Sequence, residues 1–373
     1  MFIYLITFLW TILSLKYFCD RKNSKRKVWG FTIGLSLPVL IAGLRDIGIG
    51  TDTLVYTEYY WKESAHYSLM DILSPTADFE GIDRGYMLIN MLGRLFSDDV
   101  WMSLFISSIF TFFFFFHGLN NLKCKLNFKF WIFAFYFLFV YYNQSLNYMR
   151  QFCALALVFC AYSYYLRNNY FICLCLFLSA LFFHSSSLFF VLIPALIWFA
   201  NLKSKKLRFF IGLGIIVFFL SLLFFFWKIL SFMVEYGLIA HVYGDRYGSG
   251  TEYKPQQIDY SNILSYVISF LLIIYARFKH ILKGNKYSFV MIIHVVYGLT
   301  YSLMTISGYL FRISYYLGII DMLYIVVVLS SKRMPKFILI SYFIMLFICW
   351  FYYFIYNNSC ETYPYKSTIL GIV

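Results

Sequence analysis

Charge is scarce in this chain. Only 13% of its residues are Asp, Glu, Lys or Arg and 62% are hydrophobic, where a soluble domain carries roughly 25% charge and about 45–50% apolar residues. Most of the sequence therefore cannot be wetted, which excludes a soluble globular protein. The eight cysteines offer no disulfide framework: most lie inside apolar runs (Cys153, Cys160, Cys173, Cys175, Cys349) or in basic connections (Cys19, Cys124), leaving Cys360 without a mate on the other side. No His, Cys or carboxylate cluster has zinc spacing, nothing resembles a nucleophile elbow, and no internal repeat is visible.

What is present is a series of apolar runs, near 2–18, 28–44, 100–119, 130–142, 148–166, 170–183, 188–200, 209–230, 260–276, 287–306, 313–330 and 337–356. A helix of ~20 apolar residues crosses a bilayer, so the expectation is an all-α, polytopic integral membrane protein of about 12 transmembrane helices, residues 1–373 forming one membrane domain. Several runs are short, notably 130–142, 170–183 and 188–200, and predict short or broken helices lining a cavity. The first run leads into Asp20 and basic residues instead of a small-residue cleavage site, as expected of a retained helix. The phenylalanine run 112–116 reads as a lipid-facing face, and the tyrosines near span ends read as an aromatic belt.

The net charge of +14 does not indicate nucleic acid, because the basic residues sit in short connections between apolar runs. Twenty-one of the 31 Lys and Arg fall in alternate connections that hold one acid, Asp20, while 15 of the 17 acids lie on the opposite side. By the positive-inside rule the basic side is cytoplasmic, so both termini are expected outside. The outer face then owns the long segments 45–99 and 231–259 and the tail after Tyr356. Within 45–99, residues 85–92 read as an amphipathic piece lying along the interface.

Polar residues that interrupt the apolar pattern gather at this face. Residues 42–60, AGLRDIGIGTDTLVYTEYY, pass from a hydrophobic run to Arg45, Asp46, Gly48, Gly50, Thr51 and Asp52. Such a loop sets a guanidinium beside backbone donors, which suits a phosphate, and Asp52 is placed to cap a helix carrying Tyr56, Tyr59 and Tyr60. The bland alternative for Arg45 is snorkelling to the headgroups. Asn143, Asn147 and Gln151 recur every four residues with Arg150 among them, a polar stripe that lines a wet cavity or makes a helix–helix contact. His184, with Ser185 to Ser187, stands where two short helices meet, suited to a general base or to hydrogen bonding within the fold. Arg312 is the third arginine at an outer span end, and this recurrence points to an anionic ligand. Asp321 lies about 13 Å deeper at 1.5 Å per residue and is costly there unless paired or protonated. His117 and His294 read as packing residues. Asp46, Asp52 or Asp83 offers an alternative site for a divalent ion, and Asp52 or Asp83 an alternative base.

On these residues the chain resembles the EpsG family, the Wzy-like polymerases of bacterial surface polysaccharides. The likeness runs from Arg45 through Gly50-Thr51-Asp52 to Tyr56, then Gly85-Tyr86 with Asn90, Arg150-Gln151 followed by Ala154 and Ala156, His184-Ser185, Arg312 with Tyr315, and Pro364-Tyr365. Where such sequences commonly have glutamate and proline before the Gly-aromatic pair, Asp83-Arg84 stands here. The resemblance implies a glycosyltransferase of the bacterial plasma membrane, its active site facing outward. It would transfer a growing glycan from undecaprenyl diphosphate to the next lipid-linked repeat unit in capsule, exopolysaccharide or O-antigen synthesis. On that reading His184, Arg150, Arg45 and Asp52 are catalytic, and Arg312, Tyr315, Gln151, Asn147, Thr51, Tyr56, Asp83 and Tyr86 bind substrate. No cofactor or metal is called for. The partners implied are undecaprenyl-diphosphate-linked oligosaccharides, the lipid bilayer, and the flippase and chain-length regulator of the same pathway.

Two other classes fit a chain of this composition. A lipid-linked oligosaccharide flippase or transporter would place charges near mid-membrane and show related halves, whereas here the charges gather at one face. A membrane glycan ligase or acyltransferase would use the same arginine and histidine chemistry on another acceptor.

Overall fold

The computed structural model describes residues 1–20, 24–74, 83–235, 259–306 and 310–372, which are helical apart from turns and one isolated bridge, Ser367 with Ile372. The described part of the segments expected outside thus excludes residues 75–82, most of 231–259, and Gly308 and Tyr309. Chain contacts divide the molecule into two units, Met1–Leu188 with Met322–Val373, and Phe189–Asp321.

Each of the twelve apolar runs is helical. In the first unit α1 is Phe2–Ser14, prolonged by a wider turn over Leu15–Cys19, and α2 is Ser24–Gly43. The segment 45–99 forms a wide turn Thr53–Thr57 and the short helices α3 (Glu58–Glu63) and α4 (Leu69–Leu73), followed by α5 (Arg84–Arg94). Then come α6 (Trp101–Leu122), α7 (Phe130–Val140), α8 (Tyr142–Asn147), α9 (Met149–Tyr165) and α10 (Tyr170–Phe183). The second unit holds α11 (Leu192–Asn201), α12 (Lys205–Glu235), α13 (Tyr260–Phe278) and α14 (Gly284–Ser302). Next is α15 (Ser314–Leu329), and last α16 (Lys336–Trp350), which a wide turn extends through Tyr356.

Among the described residues six stretches are long and apolar enough to cross a membrane: Phe2–Cys19, Trp101–Leu122, Tyr260–Phe278, Gly284–Thr305, Leu310–Leu329 and Lys336–Tyr356. The short runs are indeed short helices. α7 has 11 residues, or about 16 Å of helix, half of the ~30 Å hydrocarbon core.

The first unit is built on α9, buried on every face from Gln151 to Ser163 and packed between α6 and α10. Its small residues Ala154, Ala156 and Ala161 let neighbouring backbones come close, the way helices associate where water supplies no hydrophobic drive. The phenylalanine run departs from its lipid-facing expectation: Phe112, Phe115 and Phe116 are buried and only Phe113 is exposed, because a helix turns 100° per residue and cannot present consecutive residues to one side. Tyrosines likewise serve the core as well as the rim, with Tyr4, Tyr86 and Tyr142 fully buried. Helix α5 is amphipathic as expected, but its Gly85, Tyr86, Met87, Ile89 and Asn90 pack inward while Leu92, Leu95 and Phe96 stay exposed.

Candidate active site

The segment that follows α2 is held by backbone groups from three parts of the first unit. Arg45, 2% exposed, donates through Nε to Ile49 O at 3.3 Å, through Nη1 to Ala42 O, and through Nη2 to Leu146 O at 2.7 Å and Met149 Sδ at 2.8 Å. It ties the end of α2 to the end of α8, and burial pushes its guanidinium below the usual arginine range. Gly50 stands at φ +93°, a conformation side chains resist, and a Cβ there would meet Asn147 Cα at 3.1 Å. Its N–H donates to Glu361 O at 2.9 Å, Asp46 N to Lys366 O at 3.0 Å, and Thr368 N to Asp46 Oδ1 at 2.7 Å. The tail after Tyr356 therefore braces the loop from behind.

Asn147 continues the brace: its Oδ1 accepts from Asp52 N at 2.8 Å and Thr51 Oγ1 at 3.4 Å. Asp52 makes no side-chain cap to the turn that follows it, contrary to the sequence expectation, since its backbone is already helical at φ −64° and ψ −25°, whereas a capping residue is extended. The polar stripe is also not one helix. Tyr148, at φ −91° and ψ 53°, breaks it, leaving Asn143 and Asn147 on α8 and Gln151, buried, on α9. Asn143 belongs to packing, accepting from Trp350 Nε1 and donating to Thr362 Oγ1, both at 2.9 Å.

Arg150, the second residue of α9, meets Tyr56, Tyr60 and Asp83 of the segment 45–99. Among the described residues both of its hydrogen bonds run through Nη1, to Asp83 Oδ2 and to Tyr60 Oη, each at 2.8 Å. The guanidinium lies 4.3 Å from the Tyr56 ring centroid and 5.3 Å from that of Tyr60, positions of cation–π attraction. Tyr60 Oη also accepts from Asp83 N at 3.2 Å. Burial raises the Asp83 carboxyl to about 6, with Arg150 pulling the other way, and burial pushes the Tyr60 phenol up to about 12. Tyr86 is buried beneath, its Oη 3.0 Å from Thr57 Oγ1.

Gly85 brings α5 against α10: a Cβ there would lie 2.8 Å from the Phe183 ring and 3.0 Å from Phe182 O. Asp83, two residues before that contact, and His184, one residue after it, are thus carried by the same joint. His184 ends α10, its N–H on Ala180 O at 3.0 Å. Its Nδ1 accepts from Ser186 N at 3.3 Å and lies 2.6 Å from Ser186 Oγ. An Nδ1 that accepts from a backbone N–H carries no proton, so the neutral ring holds its proton on Nε2 and acts there as a donor.

The remaining expected residues belong to the second unit. Arg312 lies in the short helix Leu310–Ile313, whose Leu310 and Ile313 line an apolar cavity of about 860 Å³ together with Leu192, Ile215 and Val296. Tyr315 is buried with its ring edge-on to Phe311 at 5.6 Å. Deeper in this unit Asp321 meets His294, Oδ2 to Nδ1 at 2.9 Å, both buried, and the imidazole stacks on Tyr266 at 4.3 Å. Asp321 is therefore paired, and His294 is its partner rather than simple packing. Two lone polar residues near the middle of successive apolar runs were the available signal. The Asp83–Arg150 contact and the bracing tail were also unforeseen, since each joins segments far apart in sequence. No group of three His, Cys, Asp or Glu that could hold a metal ion occurs among the described residues.

Among known proteins, the family model described as the EpsG family matches residues 27–367, and the chain belongs to that family. No curated protein and no solved structure matches the chain.

Proposed function

Since the chain belongs to the EpsG family of Wzy-like polymerases, we propose that it polymerises lipid-linked oligosaccharide repeat units at the outer face of a bacterial plasma membrane. It would transfer the growing glycan from undecaprenyl diphosphate to a hydroxyl of the next repeat unit. The observation that carries this reading is the Arg150 guanidinium, held between Tyr56 and Tyr60 at the mouth of α9 and bonded, among the described residues, through Nη1. Its other edge suits an anionic oxygen pair. As the bond from the anomeric carbon to phosphate breaks, negative charge grows on the leaving diphosphate, and a fixed guanidinium in a half-buried site stabilises that charge.

The other residues take roles that follow from their surroundings. His184 donates from Nε2 to the leaving group or a sugar hydroxyl. Arg45, enclosed by carbonyls, positions the Gly50–Asp52 loop and Asn147 instead of touching substrate. Tyr56 offers a ring face to a sugar. Arg312, beside an apolar cavity, serves the anionic head of a polyprenyl chain, with Tyr315 packing behind it. A flippase must supply the substrate at this face, and a chain-length regulator would act on the product.

The test is genetic. Cells whose copy is replaced by Arg150→Ala should lose surface polymer and accumulate single repeat units on lipid. Normal polymer in those cells would reject the assignment.

A further inference from the structure

We infer that Asp83 is the proton acceptor of the transfer, and that Arg150 keeps it engaged until an anionic leaving group draws the guanidinium away. This rests on the polymerase reading above.

The geometry that motivates it is the shared use of Arg150 Nη1. In the free site one guanidinium nitrogen serves both the Asp83 carboxylate and Tyr60 Oη at 2.8 Å, and the Asp83 backbone is fixed by Tyr60 at 3.2 Å. A diphosphate carries more charge than a carboxylate and offers paired oxygens to the guanidinium, so it competes for Arg150 on better terms. When Arg150 turns to it, Asp83 loses its counter-ion while staying held by Tyr60, and an unpaired carboxylate in a half-buried place gains proton affinity. The base thus becomes strong only when the leaving group is bound. His184 is less suited to the task, because its Nδ1 lone pair is committed to Ser186.

The step balances. The acceptor hydroxyl oxygen bonds to the anomeric carbon and the carbon–oxygen bond to phosphate breaks. The diphosphate leaves with that electron pair, and the hydroxyl proton passes to Asp83. Loss of that proton to solvent and departure of the lipid diphosphate restore the pair with Arg150.

Among the described residues, the charged and titratable groups acting on Asp83 are Arg150 from α9 and Tyr60 from α3, with Tyr56 across the guanidinium and Asp52 acting on Arg150. His184, at the end of α10, is carried by the same joint. Burial already holds the Asp83 carboxyl near 6, so the deprotonated base is lost as pH falls through that value.

The experiment uses the full-length protein in liposomes, with the lipid-linked repeat unit isolated from cells lacking this chain as substrate. Wild-type kcat/KM should fall about tenfold per pH unit below about 6 and level off above it, and kcat should show the same limb at higher pH, because Arg150 has then left the carboxylate. Asp83→Asn keeps an oxygen for Arg150 but takes no proton near neutrality; it should lose about 10²–10⁴-fold in turnover, bind undecaprenyl diphosphate more tightly than wild type because the competing charge is gone, and show no such limb. Asp83→Glu should keep part of the rate and the limb, which a purely structural carboxylate would not require. Asp83→Asn at wild-type rate, or a flat wild-type profile between pH 4.5 and 8, overturns the inference while leaving the polymerase reading intact. Wild-type protein that makes no polymer overturns both.

Discussion

Arg45 and Leu146, 101 residues apart in sequence, are joined by a hydrogen bond of 2.7 Å from the buried guanidinium to the backbone carbonyl. Together with the bonds to Ala42 and Ile49, it makes Arg45 a clamp that sets the Gly50–Asp52 loop against the break before α9, where Arg150 emerges.

The clamp predicts a stability phenotype. Lysine has one ammonium where arginine has a fork, so Arg45→Lys strands buried carbonyls at roughly 1–3 kcal/mol each. Thermal unfolding in detergent should shift down, while the folded fraction binds undecaprenyl diphosphate normally. Unchanged unfolding with lost binding would make Arg45 a ligand contact instead.

At the joint of α5 and α10, Gly85→Ala would drive a methyl to 2.8 Å from the Phe183 ring. Overpacking of this kind costs about 1–3 kcal/mol, and here it displaces the residues that carry Asp83 and His184. Transfer rate should drop more than stability, and Phe183→Leu should restore part of it. Wild-type rate in Gly85→Ala would show that the joint does not position the site.

In the second unit the buried pair of His294 and Asp321 should behave as one element. Removing one member of a buried pair costs about 3–5 kcal/mol, whereas replacing both by apolar residues is often neutral. His294→Leu and Asp321→Leu should each lower the unfolding temperature, and the double variant should recover most of the loss. Additive losses would mean that the two act separately.

Topology follows from the basic connections. A reporter fused at Lys205 should be cytoplasmic and one at Gly250 external. Both on one side would break the alternation of twelve spans.

The helices were legible because apolar runs separated by basic connections leave few other solutions in a membrane. Arg150 was visible as a polar residue at the start of a span, and Asp83 and Tyr60 as polar residues of the segment 45–99, yet their contact was not, since it joins α9 to residues 67 and 90 positions earlier. Local spacing also misled at Tyr148: residues four apart look like a stripe on one helix, and only the backbone break shows that Asn147 ends one helix while Gln151 belongs to the next. The reason Pro364-Tyr365 belongs to the pattern emerges only in three dimensions, where Tyr365 Oη donates to Ile41 O at 2.9 Å and its neighbours brace Asp46 and Gly50.

Polymer length made by the purified protein, in liposomes with the lipid-linked repeat unit as sole substrate, bears most directly on whether Arg150 serves a diphosphate leaving group. Wild type should give a ladder of products, and Arg150→Lys, folded but without the second donor edge, should leave the substrate as single units. A normal ladder from the lysine variant, or none from wild type, would contradict it.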